Sequence, residues 1–308
     1  MILTICPNPS VDCTIELDSL NVGKLNRIEN KVETYSGKAL NVAIGVGRLE
    51  EECVATGFMF ENHQKTFEHV LEKAGVKHDF VLNGGSARTN YKIIDKKAML
   101  TEINDRGEEV GRENQLKLIE KVKKLSEISD IAVMSGSLPK GVEPSFYGEV
   151  LSVIPERVKV IVDTEKANML EAIKSRKLFM AKPNVPELER FASMTVRTRR
   201  DMVTAAAKYL DMGVTYVLIS MGAEGAIITD GHENYYCKSA SVAVNSTVGA
   251  GDSMIAAACV ALMKGVPMAE MLRRAVAAGT AAVTTSGTNL FYKEKYMEIY
   301  AKVQAERF

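Results

Sequence analysis

Short apolar runs alternate with amphipathic stretches along most of this chain, and that alternation leaves few folds open. Residues 1–6, 131–134, 158–162, 179–181 and 216–220 are wholly or nearly apolar, as strands buried on both faces of a sheet are. Between them, 40–49, 66–74, 113–125, 145–154, 201–211, 253–264 and 268–286 carry apolar residues at helical spacing. Strands alternating with helices predict an α/β fold: a doubly wound, mostly parallel sheet flanked by helices. Ligands in such folds bind beyond the carboxyl ends of the strands, so polar motifs that follow strands are the candidate sites. The whole chain, 1–308, reads as one such domain. A chain of that size buries about 75% of its extended surface and needs no disulfide or metal staple.

Two stretches depart from the alternation. Residues 14–35 are extended and polar, and 86–104 repeat that style, with β-leaning runs around an Asp95-Lys96-Lys97 turn. They predict a small separate β-sheet, from roughly 12–35 and 86–106, lying over the main sheet as a lid. Surface hairpins are the plainer reading, but both stretches flank polar motifs. Lys plus Arg number 39 and Asp plus Glu number 39, so no net charge draws the chain to nucleic acid or an anionic membrane. The five cysteines are widely spaced without a CxxC pair and read as buried free thiols. His63, His69, His78 and His232 show no metal-ligand spacing. No run of about 18 apolar residues occurs to span a membrane. The N-terminus lacks the basic and long apolar regions of a signal peptide, and a cytoplasmic protein is expected.

The most informative segment is Val244-Asn245-Ser246-Thr247-Val248-Gly249-Ala250-Gly251-Asp252-Ser253-Met254, followed at once by an apolar helical run. Gly249, Ala250 and Gly251 can turn their N–H groups toward an anion at a helix N-terminus. Asp252 sits where N-caps are favoured, so a loop with an Asp cap also satisfies the pattern. Phosphoryl transfer gives a second reason for that Asp, because it needs oriented dipoles around the migrating group and a base beside the attacking hydroxyl. No GxxxxGK[ST] loop is present.

With GAGD after a strand and before a helix, the sequence resembles the ribokinase-like (pfkB) family of carbohydrate kinases over essentially its whole length. The resemblance implies a doubly wound sheet topped by a small β-lid, with Asp252 as catalytic base and Gly249, Ala250 and Gly251 as anion hole. Ser36-Gly37-Lys38-Ala39-Leu40-Asn41 would pass alone for an ordinary helix start. It resembles the family's GGKGxN, departing at Ser36 and Ala39, and implies sugar contacts from Gly37, Lys38 and Asn41. Asp12, in the Asn8–Asp12 turn, inherits a grip on sugar hydroxyls. Arg88-Thr89-Asn90, Thr101–Asn104 and Ser135-Gly136-Ser137-Leu138-Pro139 resemble the branch that acts on sugar phosphates. There Lys38 and Arg88 would meet the phosphate the substrate already carries, with Asn90 and Ser137 nearby.

On the nucleotide side, Lys182-Pro183-Asn184-Val185-Pro186-Glu187-Leu188 resembles the family's KPNxxEL. It implies Lys182 and Asn184 near ATP and Glu187 holding magnesium through water. Ser220, Gly222 and Gly225 match a turn used beside ATP. The adenine pocket is expected around 277–288. Ser246 stands where many members carry an Asp, which puts a requirement for a monovalent cation in doubt. The resemblance implies ATP-dependent phosphorylation of a ketohexose monophosphate, with D-fructose 1-phosphate as first choice. Tagatose 6-phosphate kinase and 6-phosphofructokinase activities are alternatives, and an inactive sugar-phosphate or nucleotide sensor is the alternative of another class. Lids in this family often pair, so a homodimer through the lid is a further expectation.

Overall fold

The first apolar run becomes a central strand of the main sheet. The structure, a computed structural model, describes residues 1–97, 99–285 and 290–308. In chain order the first half contains β1 (Ile2–Cys6), β2 (Ser10–Leu17), β3 (Asn30–Ser36), α1 (Lys38–Arg48), β4 (Cys53–Phe60), α2 (Gln64–Lys73), β5 (Lys77–His78), β6 (Val81–Asn83), β7 (Arg88–Asp95), β8 (Leu100–Asn104) and α3 (Arg112–Ser126). Then come β9 (Ile131–Ser135), α4 (Ser145–Ser152), β10 (Lys159–Asp163), α5 (Lys166–Ser175), β11 (Met180–Ala181), α6 (Val185–Ala192), α7 (Arg199–Asp211) and β12 (Tyr216–Ser220). The chain closes with β13 (Ala226–Thr229), β14 (Asn234–Cys237), α8 (Ala250–Met263), α9 (Met268–Ala282), α10 (Lys293–Tyr300) and β15 (Ala305–Arg307).

The large sheet has the order β15-β14-β13-β12-β11-β10-β9-β1-β4-β5, with β6 also on β4. Pairs from β12 through β5 are parallel, whereas β12 to β15 form an antiparallel edge. The chain leaves β1 toward β4 on one side and later returns to β9 on the other. The order reverses there, and a crevice opens at the carboxyl ends of the strands. A separate four-stranded sheet, β3-β2-β7-β8, takes the residues that broke the alternation. Its β2–β7 pair is parallel and its outer pairs antiparallel. Cys13, Ile15 and Leu17, with Ile93, give it a small cluster of its own.

Helix α8 is apolar nearly all round, and every residue from Asp252 to Ala261 is buried. A helix of that composition belongs inside, so its N-terminus opens within the molecule. It begins at Ala250, three residues before the expected start, and its N-cap is Gly249. Asp252 is therefore a residue of the first turn and not the cap. The last long helix ends at Ala282, short of the expected 286, and Ser286 lies outside the described residues. Strands β4, β13, β14 and β15 and helices α5, α6 and α10 add to the elements anticipated.

Candidate active site

A cavity of ≈ 1320 Å³ runs from the small sheet, across the carboxyl ends of β10, β11 and β12, to the start of α8 and one side of α9. Its volume exceeds the roughly 300–1,000 Å³ usual for a single ligand. Asp12, Gly37, Lys38, Asn41, Arg88, Asn90, Lys182, Asn184, Ser220, Gly222, Gly225, Gly249, Ala250, Gly251 and Asp252 all line it. Of the residues singled out in the sequence, Ser137 and Glu187 do not. The Ser137 hydroxyl accepts from Asn8 Nδ2 at 3.4 Å, at the base of the small sheet. Glu187 Oε2 accepts from the Asn184 N–H, and Asn184 Oδ1 from the Glu187 N–H, both at 2.8 Å. That reciprocal pair caps α6.

At the centre, Gly249 adopts φ +78, a left-handed conformation that glycine takes without cost. It turns the chain into α8 and leaves the N–H groups of Ala250, Gly251 and Asp252 without acceptors inside the helix. The helix dipole adds partial positive charge there. Gly251 lies so close to Lys182 that a Cβ would stand 3.1 Å from Nζ. Asp252 is buried, and Asn41 Nδ2 donates to its Oδ2 at 2.8 Å. Burial pushes Asp252 up to about 6, with Asp163 adding to the effect against the pull of Lys38, Asn41 and Lys182. A carboxylate at that value is ionised at neutral pH yet basic enough to take a proton.

Asp163, the last residue of β10, carried no motif. It is buried, with Lys38 Nζ 3.2 Å from Oδ2 and Lys182 Nζ 3.6 Å from Oδ1. Burial alone would raise Asp163, but Lys182 and Lys38 outweigh it and hold the carboxyl below its usual range. Asp163, with Asp252 and Glu187 behind it, in turn pushes Lys38 up. Two lysines and two carboxylates thus surround the N-terminus of α8. A strand end, a turn and two helices each supply one of the four, from positions far apart in sequence.

Of the residues expected on the sugar side, Asp12, Arg88 and Asn90 stand on the small sheet. Asp12 Oδ1 accepts from Asn90 Nδ2 at 3.0 Å and from the Ser10 hydroxyl at 3.3 Å, and Lys92 Nζ lies 3.4 Å from Oδ2. The Arg88 side chain makes no hydrogen bond or ion pair among the described residues, and its Nε is buried without a partner. Burial lowers its guanidinium from the usual value. At the other end, Met221, Ala240, Val242, Val244, Val276 and Val283 form an apolar wall. The expected adenine region 277–288 meets the cavity at Gly279, Thr280 and Val283, and 286–289 lie outside the described residues.

A buried carboxylate poised near neutrality, unpaired helix amides and two lysines at the switch point of an α/β sheet define a phosphoryl-transfer enzyme. The profile described as pfkB family carbohydrate kinase matches residues 8–295, and the chain belongs to that family. It is an ATP-dependent sugar kinase. A 1-phosphofructokinase of Vibrio cholerae is 29% identical over 304 residues, 98% of this chain and 96% of that one. A tagatose-6-phosphate kinase of Staphylococcus epidermidis is 28% identical over 307 residues, 99% of each. The solved phosphofructokinase-2 of Escherichia coli in complex with substrates and products superposes with a TM-score of 0.90 at 26% identity, covering 98% of both chains. Among the described residues, no helix is long and apolar enough to cross a membrane.

Proposed function

We propose that the chain transfers the γ-phosphoryl group of ATP to the free primary hydroxyl of a ketohexose monophosphate. D-Fructose 1-phosphate is the preferred substrate in this reading, and the product is fructose 1,6-bisphosphate. The observation that carries the phosphate requirement is Arg88, a guanidinium at the sugar end with a buried, unpartnered Nε. Unpaired buried donors are costly, and a phosphate answers a guanidinium with paired hydrogen bonds. The Vibrio relative and the STVGAGDSM and SGSLPKG segments support fructose 1-phosphate over tagatose 6-phosphate.

Asp12 and Asn41 orient the sugar, with Gly37 beside them. Asp252 takes the proton of the attacking hydroxyl, and that oxygen approaches the γ-phosphorus in line. Amides from Gly249 to Asp252, with Lys38 and Lys182, hold the charge that develops on the phosphoryl oxygens. Such preorganised donors are worth roughly 3–4 kcal/mol each in other enzymes. The nucleotide lies past Asn184, Ser220, Gly222 and Gly225, with its base against the apolar wall. No group of three or more His, Cys, Asp or Glu side chains gathers into a metal cage among the described residues. Magnesium needs none, because it takes one or two carboxylates together with substrate phosphates. Asp163 Oδ1, buried without a hydrogen bond, and Glu187 suit that demand, Glu187 through water. When bound there, magnesium would offset the phosphate charge.

The small sheet acts as a lid over the sugar. Its face away from the cavity exposes Tyr91 and Ile103, which supports pairing of two copies through that face. A kinase drawing on ATP and a sugar phosphate is placed in the cytoplasm. Steady-state rates on D-fructose 1-phosphate, tagatose 6-phosphate, fructose 6-phosphate and fructose test the substrate. Equal rates on fructose would dismiss the phosphate requirement. ATP binding with no sugar-dependent ATP consumption would favour a sensor instead.

A further inference from the structure

The small sheet brings to the sugar end a cation that no sequence motif singled out. Arg88, Asn90 and Lys92 alternate along β7 and all line the cavity, as residues on one face of a strand do. Four residues of extended chain separate the Arg88 and Lys92 backbones by about 13 Å. Lys92 nevertheless reaches back, placing Nζ 3.4 Å from Asp12 Oδ2. Arg88 lines the same cavity and feels the Asp12 charge, but makes no ion pair with that carboxylate among the described residues. The Lys92 side chain is 12% exposed, and this long bond is its only hydrogen bond among the described residues. An ammonium has three N–H donors, so two are left without an acceptor among the described residues on a side chain that lines the cavity. Glu102, opposite Lys92 on β8, lines the cavity but is exposed and makes no ion pair with it. Lys38, the other cation considered for a phosphate already on the sugar, is held by Asp163 at 3.2 Å on the transfer side.

We propose that Lys92 is a specificity-determining residue: its unused donors, with the Arg88 guanidinium, hold the phosphate the sugar already carries. This rests on the sugar-phosphate reading above and assigns that phosphate to the β7 face instead of Lys38. Lys92→Met removes the charge and keeps the bulk, and Lys92→Arg keeps the charge. Binding of D-fructose 1-phosphate, tagatose 6-phosphate and D-fructose to the full chain is measured by calorimetry without ATP. Sugar KM, ATP KM and kcat are measured alongside.

Lys92→Met should weaken whichever sugar phosphate the wild type binds by roughly 10- to 100-fold, the range for hydrogen bonds to charged groups. ATP KM and kcat should hold, D-fructose should bind no worse than before, and Lys92→Arg should recover most of the loss. Lys92→Gln serves if the methionine variant loses the wild-type melting transition. Equal weakening toward fructose and its phosphate, or a loss carried by kcat, would mean that Lys92 only props Asp12 and would overturn the proposal. So would unchanged affinity. A wild type that binds neither sugar phosphate would instead sink the sugar-phosphate reading, before any variant is compared.

Discussion

Asp252→Asn should make this enzyme nearly inactive and more stable. The substitution keeps the shape of the side chain, and its amide oxygen can accept the bond that Asn41 donates at 2.8 Å. Only the charge and the basicity go. In the folded protein Asp252 is pushed up to about 6 from 3.8. Below pH 3.8 the group is protonated in both folded and unfolded chains and contributes nothing. Above pH 6 it is ionised in both, and folding carries the full cost of burying the charge. About two pKa units at 1.36 kcal/mol each give about 3 kcal/mol. Asn avoids that cost, so the variant should gain up to about 3 kcal/mol at pH 8 and about half as much at pH 5. The gain corresponds to a rise in melting temperature of roughly 6 °C. Loss of a general base costs about 10²- to 10⁴-fold in turnover. Thermal melts at pH 5 and pH 8, beside a coupled assay of ADP release, measure both. A variant no more stable than wild type at pH 8, or one whose advantage grows on acidification, would refute the reasoning. Retained turnover would remove Asp252 from the role of base.

Other outcomes follow from the same geometry. In wild type, kcat/KM should fall about tenfold per unit as pH drops below 6, because protonated Asp252 accepts no proton; a pH–rate profile checks this. Asp163→Asn leaves Lys182, only 5% exposed, without its carboxylate; urea titration should show a loss of about 3–5 kcal/mol. Gly251→Ala places a Cβ 3.1 Å from Lys182 Nζ without forcing a left-handed backbone. It should raise the KM for ATP while changing stability by less than about 1 kcal/mol, read by initial rates and melting curves.

Much of this architecture was legible because its signals are local. Each of β1, β9, β10, β11 and β12 is a short apolar run, and the helices between them show a periodic face. Strand β4 is just as buried, but Gly57 interrupts it and Glu50 to Glu52 precede it. The edge strands β13, β14 and β15 are too short to stand out. Helix α8 starts three residues before its apolar run does, because Gly249 to Asp252 have the composition of a loop, although two glycines suit the entry to a buried helix. Asp12, Lys38, Asn41, Arg88 and Asn90, which line the cavity, stand out as candidates because each sits in a motif. Asp163 does not. It is an ordinary strand-final Asp until Lys38, 125 residues away, folds against it. Lys92 was hidden for another reason: the alternation of Arg88, Asn90 and Lys92 is visible in the sequence, but which face of β7 meets the cavity is set by pairing with β2.

The groups proposed for the chemistry and those proposed to read the sugar belong to parts of the molecule with unequal anchorage. The amides of α8 are rooted in the main apolar core. Asp12, Arg88, Asn90 and Lys92 stand on a four-stranded sheet whose own apolar cluster is Cys13, Ile15, Leu17 and Ile93 and which meets the main core through Val11 and Tyr35. Substrate preference can therefore drift by exchange of a few cavity-facing side chains on β2 and β7, leaving the reaction itself untouched.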